Sequence, residues 1–270
     1  MSISIWLILR ANFYALFCWY KNNKWLLLSL IIWPYLMSFV ILAMGILYGD
    51  LESFKERLNV ANPVLYILAS SAIAMSSVGI IDAVANFTIY HRWLGTLPYL
   101  VMTPTRTYKV LLFSSIPDSI TSIALSIASI TPAVMYFEGI LGITKIAIVL
   151  LIVYLGMLPL LGISIIIASL TLGIRGEENV ASSLTPFILL VSGVFYPVEI
   201  LPRVMQYISA VIPTRYVIEA TRFLATYTIP EAKILFAFFY ILTILTIGYN
   251  SISAFILRSI ERWARKRGSI

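Results

Sequence analysis

Six long apolar segments constrain the fold of this chain more than any other feature of its sequence. Each approaches or exceeds the roughly 20 apolar residues that a helix needs to cross the hydrocarbon core of a bilayer. Helices satisfy their own backbone hydrogen bonds in lipid, and these segments do not alternate between apolar and polar residues as barrel strands do. The sequence therefore predicts an all-α integral membrane protein with six transmembrane helices, at Trp25–Leu47, Pro63–Ile81, Val110–Met135, Ile146–Ile174, Val180–Val198 and Ile234–Leu257.

The composition agrees with a membrane protein and excludes several other classes. Of the 270 residues, 60% are hydrophobic and 11% are charged, whereas a soluble domain averages about 25% charged residues. A soluble enzyme and a disordered chain are therefore excluded. The single cysteine, Cys18, excludes an intrachain disulfide and a four-cysteine metal site, and the single histidine, His91, excludes a histidine cluster. We expect this chain itself to bind no metal and no cofactor.

The first 24 residues predict a helix at the membrane surface. Arg10 and Asn12 interrupt their apolar run, and at about 100° per residue Arg10, Tyr14 and Lys21 fall on one side of a helix. A signal peptide is disfavoured, because no small-residue cleavage pattern precedes Lys21 and a full span follows at once. We therefore expect residues 1–24 to form an interfacial helix.

The placement of the basic residues predicts the orientation. With six spans, 12 of the 19 lysines and arginines lie on the side that holds both termini, and the 7 on the other side are matched by 7 acidic residues. Because lysine and arginine are enriched in cytoplasmic loops, both termini are predicted to be cytoplasmic. Near the C-terminus, Ile256, Ile260 and Trp263 share a helical face among basic residues, which favours contact with anionic lipids. A charge of +7 distributed in this way does not indicate a nucleic-acid partner.

The loop between the second and third predicted spans, residues 91–109, mixes polar and apolar residues. It is too polar to span a membrane and contains Pro98 and Pro104. One interpretation is a short amphipathic helix that lies against a protein partner, and the other is a turn that only joins two spans. For the first interpretation, the apolar anchors are Trp93, Leu94, Leu97 and Leu100.

The segment after the fifth predicted span, within residues 191–233, predicts external re-entrant helices before the last span. Val204–Ile212 is apolar but too short to cross, and the chain is expected to break at Gly193 and Pro197. The alternative is an external cap with ordinary surface ion pairs. In either case five charged residues are candidates for pairing with one another: Glu199, Arg203, Arg215, Glu219 and Arg222.

Asp118 is the only charged residue well inside a predicted span. An acid at such a position is a candidate for a transport pathway or for a contact between two copies of the chain. It follows Pro117, which interrupts helical hydrogen bonding. The alternative is therefore an acid that caps backbone groups at a kink. Asp82, at the end of the second predicted span, is expected to be interfacial.

Two sets of residues together resemble a known family. The loop contributes a Gly-Thr-Leu and Thr-Pro pattern, here Gly95, Thr96, Leu97, Thr103 and Pro104. The later pattern is Ser-Gly-x-Phe-x-Pro, then Leu-Pro, Pro-x-x-Tyr and Glu-x-x-Arg, here Ser192, Gly193, Phe195, Pro197, Leu201, Pro202, Pro213, Tyr216, Glu219 and Arg222. With the six predicted spans, this order resembles the permease subunit of type-2 ABC exporters of drugs, polysaccharides and lipo-oligosaccharides.

The resemblance implies a single transmembrane domain over residues 1–270 in the plasma membrane, whose function is export from the cytoplasm. It implies that ATP and Mg bind to a separate ABC ATPase subunit, present in two copies with two permeases, either two copies of this chain or this chain and a paralogue. Consistently, the sequence contains no phosphate-binding G-x-x-x-x-G-K-[ST] loop. By resemblance, the loop is the ATPase-coupling segment, with candidate residues Arg92, Trp93, Gly95, Thr96, Leu97, Thr103, Pro104 and Arg106.

Other classes of membrane protein fit the sequence less well. A secondary transporter or channel without an ATPase partner would need several ionisable residues within its spans. A membrane-embedded enzyme would need convergent polar groups inside the spans. An assembly or scaffold protein would lack any dependence on ATP.

Overall fold

The computed structural model describes most of the chain. Within the described residues the structure is helical and contains no strand, which confirms the all-α prediction. The described ranges are 5–48, 62–102, 106–173, 180–194, 198–222 and 232–266.

The helices in these ranges differ widely in length. A 3₁₀ turn at Val198–Ile200 lies between the seventh and eighth α-helices. In chain order the α-helices are α1 (Ile5–Asn22), α2 (Lys24–Tyr48), α3 (Pro63–Trp93), α4 (Leu97–Val101), α5 (Thr107–Glu138), α6 (Ile140–Gly173), α7 (Val180–Val191), α8 (Arg203–Val211), α9 (Pro213–Thr221) and α10 (Ala232–Lys266).

Four of the described helices, α3, α5, α6 and α10, are long and apolar enough to cross a membrane. A fifth span results if α1 and the first part of α2, which meet at a bend of 90°, are counted together. No residue of α1 is buried against the rest of the described chain. The bend and the exposure agree with a surface helix before a span, although an interfacial position of α1 stays a prediction.

The predicted fifth span is shorter in the structure than in the sequence analysis. Helix α7 has 12 residues, about 18 Å at 1.5 Å per residue. It ends at Val191, and Gly193 has a φ of 77°, a left-handed conformation that glycine adopts without strain. The structure thus supports four or five spans among the described residues, and the count of six stays a prediction.

The third and fourth predicted spans are longer than expected and are joined almost directly. Gly139, with a φ of 59°, is the one residue between α5 and α6. Glu138 and Lys145 form an ion pair beside this turn, and the Lys145 side chain is buried. The pair and the glycine hold the two helices as a tight hairpin.

Helix α3 lies at the centre of the molecule and packs against α2, α5, α6, α7 and α9. Its approach to α5 depends on small side chains, since a β-carbon on Gly79 would lie 2.6 Å from the Oγ of Ser122. Small residues let helix backbones come close where lipid provides no hydrophobic force between helices. Both helices carry small residues at a spacing of three and four, namely Ala69, Ala72, Ser76, Gly79 and Ala83 on α3 and Ser115, Ser119, Ser122, Ser126 and Ser129 on α5.

Candidate functional site

The connection between α3 and α5 differs from the predicted loop, because α3 continues to Trp93. Arg92 therefore lies in the last turn of α3, where its Nη2 donates hydrogen bonds to the carbonyl oxygens of Thr171 (2.8 Å) and Leu172 (3.3 Å). These carbonyls belong to the C-terminal turn of α6, which has no backbone donors of its own to satisfy them. Arg92 thus fastens the end of α3 to the end of α6.

The turn after α3 is fixed by its own hydrogen bonds. The backbone N–H of Thr96 donates to the carbonyl of His91 (2.9 Å), and the Thr96 hydroxyl lies 2.8 Å from the Nδ1 of His91. Gly95 has a φ of 66°, so a side chain at this position would be strained. The Gly-Thr pair of the sequence pattern therefore sets the direction in which α4 leaves α3.

Leu97 points into the protein, contrary to its predicted role as an anchor for a partner. It is 5% exposed and packs in a cluster formed by the ends of four long helices. A helix of five residues cannot present all its apolar side chains outward, and here Leu97 covers the helix ends below it. The other buried members of this cluster are Val84, Leu111, Ile165, Ala168, Leu172 and Leu257.

Four apolar side chains of the same connection point away from the protein. Trp93 and Leu94 are 64% and 55% exposed, and Tyr99 and Met102 are 74% and 77% exposed. We call Trp93, Leu94, Tyr99 and Met102 the α3–α5 patch. Of the other predicted coupling residues, Arg106 is exposed just before α5, and Thr103 and Pro104 lie outside the described residues.

The start of α5 is also tied to α10, a connection that the sequence patterns do not predict. The hydroxyl of Thr107 donates to the Oε1 of Glu261 (3.1 Å), and the Tyr108 hydroxyl donates to the Oδ1 of Asn250 (3.1 Å). The only signal in the sequence is that Glu261 stands alone among basic residues at the end of α10.

The second pattern folds into a turn followed by two short helices, α8 and α9. The Ser192 hydroxyl donates to the carbonyl of Ile188 (2.6 Å) at the end of α7. Pro202 precedes the first turn of α8, and its neighbour Leu201 accepts a hydrogen bond from the side chain of Gln206 (2.8 Å). Phe195 and Pro197 lie outside the described residues, and the re-entrant position of these helices stays a prediction.

Pro213 is the first residue of α9, where its missing N–H costs no hydrogen bond. Tyr216 donates from its hydroxyl to the carbonyl of Ala210 (2.7 Å) and so holds α9 against α8. Of the five charged residues expected to pair, Arg215 and Glu219 do so, with 2.8 Å between Nε and Oε1. This pair lies one turn apart on α9 and is partly exposed.

Arg222, the last residue of the second pattern, contacts Gly193 near its beginning. Its Nη2 donates to the carbonyl of Gly193 at 2.5 Å, and its guanidinium carbon lies 4.5 Å from the ring centroid of Tyr66 on α3. Burial lowers the pKa of Arg222, and Tyr66, Glu219 and Glu199 oppose this change. Arg222 therefore joins the break after α7, the end of α9 and the start of α3.

The two acids predicted in or beside spans both lie within long helices. α5 continues as one helix through Pro117, and both interpretations of Asp118, a pathway residue or a cap at a kink, stay predictions. Asp118 is half-buried, and its negative charge adds to the rise that burial causes in the pKa of Tyr20 on α1. Asp82 lies within α3 and accepts a hydrogen bond from the hydroxyl of Thr185 (2.7 Å).

The geometry agrees with a comparison to known families. The chain matches the family model of the ABC-2 type transporter over residues 5–226. It belongs to the ABC-2 type transporter family. No curated protein matches the sequence.

As an ABC-2 type transporter, the chain is a multi-pass membrane protein and a transport component, not a nucleotide-binding domain. The match confirms the resemblance found in the sequence and includes both motif-bearing segments. It also implies an ABC ATPase as a partner of the ABC-2 permease in general. No group of metal-binding side chains occurs among the residues that the structure describes.

Proposed function

We propose that this chain is the permease subunit of an ABC exporter that moves a drug, lipid or glycan-like substrate out of the cytoplasm. A separate ATPase subunit drives the transport. The observation that carries the proposal is the construction of the α3–α5 connection. It exposes an apolar patch on one side and, through Leu97 and Arg92, is packed onto the ends of the long helices on the other.

This construction supports transmission by movement of a rigid body. ATP and Mg bound to the partner would supply the free energy for a closing motion of the ATPase pair. A push on the patch reaches Leu97 directly, because a close-packed cluster does not absorb a displacement but passes it on. The ends of α3, α5, α6 and α10 would therefore shift together, which biases two arrangements of the spans.

The topology belongs to the same proposal. We propose six spans with both termini in the cytoplasm, external re-entrant helices, the plasma membrane as location, and two permeases assembled with two ATPases. The excess of basic residues on the side of the termini supports this orientation.

Accessibility of introduced cysteines tests this orientation. In a Cys18→Ser background, an impermeant maleimide should label Tyr136→Cys in intact cells and should label Arg262→Cys only after permeabilisation.

Copurification from native membranes tests the proposed function. The tagged chain is extracted in a gentle detergent, and an ABC ATPase is expected in equal amount. The control is Ser259→Ala, which removes only a hydrogen bond within α10. A dimeric chain that carries no ATPase under these conditions would contradict the proposal.

The second candidate is a secondary transporter or channel, and it is favoured by the two acids within long helices, Asp82 and Asp118. Its transport would stop when an uncoupler dissipates the ion gradient and would continue when ATP is depleted with the gradient kept. An ATP-driven exporter gives the opposite pair of results.

A further inference from the structure

Helix α10 is longer than a membrane crossing requires. Its 35 residues extend over about 52 Å at 1.5 Å per residue, against a hydrocarbon core of roughly 30 Å. The excess includes the turns that carry Leu257, Ile260 and Glu261. The sequence pattern there suggests only a basic anchor for lipid, with Ile260 on its apolar face, but the structure packs Ile260 and Leu257 in the cluster that contains Leu97 and bonds Glu261 to Thr107.

The first link is apolar. Leu257 is 1% exposed and belongs to the same cluster as Leu97, and Ile260 packs on its edge. Because both leucines belong to one buried cluster, a shift of α4 would disturb the packing of that cluster or open a cavity in it. The cluster therefore connects the α3–α5 patch to α10 as well as to α6.

The second link is polar and specific. The Thr107 side chain is 5% exposed, and it donates to the carboxylate of Glu261 over 3.1 Å. A hydrogen bond to a charged group contributes more than one between neutral groups, and more where water is excluded. Thr107 is the first residue of α5, immediately after the connection. This bond therefore joins α5 to α10 at the place where the proposed movement would begin.

Helix α10 is well placed to carry the movement further. It packs along α6 more extensively than any other pair of described helices do, and Asn250 donates from Nδ2 to the carbonyl of Leu158 on α6 (3.1 Å). A displacement of the end of α10 would therefore pass to α6 through this packing.

We propose that the cytoplasmic end of α10 is part of the coupling apparatus, with Glu261 and Leu257 as positioning residues that make α10 follow the α3–α5 connection. This inference rests on the proposed function. Glu261 does not bind the ATPase in this account, because its role is to receive movement through Thr107. The prediction is a defect in coupling while the ATPase stays bound.

The experiment measures Mg-ATP hydrolysis by the purified complex in lipid nanodiscs, together with the amount of ATPase that copurifies. Thr107→Val and Glu261→Ala should each lower kcat about ten- to a hundred-fold, the range expected for a hydrogen bond to a charged group. The KM for ATP should not change, since the nucleotide site lies on the partner. Thr107→Ser keeps the donor and should restore the rate.

A double variant separates this role from a general loss of stability. If Thr107 and Glu261 act through one bond, Thr107→Val with Glu261→Ala should be no slower than the slower single variant. Ser259→Ala, on the same part of α10, should hydrolyse ATP as the unmodified complex does. A merely structural role would not give rescue by Thr107→Ser together with an unchanged amount of folded complex.

Three outcomes would overturn the inference. Rates within two-fold of the unmodified complex in Thr107→Val and Glu261→Ala would show that the link carries no coupling. Loss of the ATPase from a folded Glu261→Ala chain would make Glu261 a docking residue instead. If the unmodified chain carries no ATPase, the proposed function fails and this inference fails with it. The copurification of the unmodified chain distinguishes that result from a failure of this inference alone.

Discussion

Gly162 on α6 lies directly against the backbone of Tyr249 on α10. A β-carbon on Gly162 would be 2.9 Å from the carbonyl carbon of Tyr249 and 2.8 Å from its β-carbon. Neither atom is the flexible end of a side chain, so the two helices would have to separate to admit even a methyl group. This contact leaves no room for a side chain between α6 and α10 at Gly162, and the two helices form the most extensively packed pair in the described chain.

Gly162→Ala should therefore destabilise the protein by about 1–3 kcal/mol, the usual cost of overpacking. The measurement is the thermal midpoint of the detergent-solubilised chain, followed by size exclusion. Gly248→Ala is the matched control, because it lies on α10 with no atom within 4 Å of the added carbon. Equal midpoints for the two variants would contradict the close approach.

Substitutions in the α3–α5 connection should have two kinds of effect, one on copurification of the ATPase and the other on stability. Trp93→Ala and Tyr99→Ala remove exposed residues, so they should leave stability nearly unchanged and reduce copurification of the ATPase. Leu97→Ala empties a buried position and should cost about 2–5 kcal/mol of stability. Thermal midpoints and ATPase recovery are measured on the same preparations. If Trp93→Ala and Tyr99→Ala both leave recovery intact, the patch is not the docking surface.

Arg222→Lys should impair ATP-driven turnover far more than Arg215→Lys. Lysine keeps the charge but loses the planar group that spans the Gly193 carbonyl and the Tyr66 ring. The expected loss in stability is about 1.5–3 kcal/mol, as for a hydrogen bond to a charged group. The partly exposed Arg215–Glu219 pair should contribute about 0.3–0.5 kcal/mol. If the two variants lower turnover and thermal midpoint equally, the contacts of Arg222 with Gly193 and Tyr66 do not have the importance proposed for them.

Asp118→Asn tests whether this acid serves transport. If Asp118 lines the pathway, the variant should assemble with the ATPase in normal amount and show altered turnover, because only the charge is removed. Copurification and Mg-ATP hydrolysis on one preparation give both readouts. Unchanged assembly and unchanged turnover would remove the functional role of Asp118.

The spans could be predicted because hydropathy over about 20 residues decides them, as for α6 and α10. The extent of α7 depends on local geometry instead. Hydropathy continues beyond Val191, and only the Ser192–Gly193 turn ends the helix. The sequence predicts the break at Gly193, but apolar residues continue past it, so hydropathy alone extends the span to Val198.

The contacts of the candidate site could not be predicted in the same way. The bond between Thr107 and Glu261 joins residues 154 positions apart, and nothing in either neighbourhood indicates the other. Leu97 was assigned to a partner because an amphipathic pattern identifies an apolar face without saying what covers it. In the structure the protein itself covers Leu97, and the residues left for a partner are Trp93, Leu94, Tyr99 and Met102.

Site-specific photo-crosslinking tests the central claim most directly. The photoreactive residue p-benzoylphenylalanine replaces Tyr99 in the α3–α5 patch or, as a control, Tyr136 near the opposite end of α5, which are 74% and 84% exposed. A crosslink to an ABC ATPase is expected from position 99 and none from position 136. A crosslink from position 136 alone, or no ATPase at either position in a membrane-inserted chain, would contradict it.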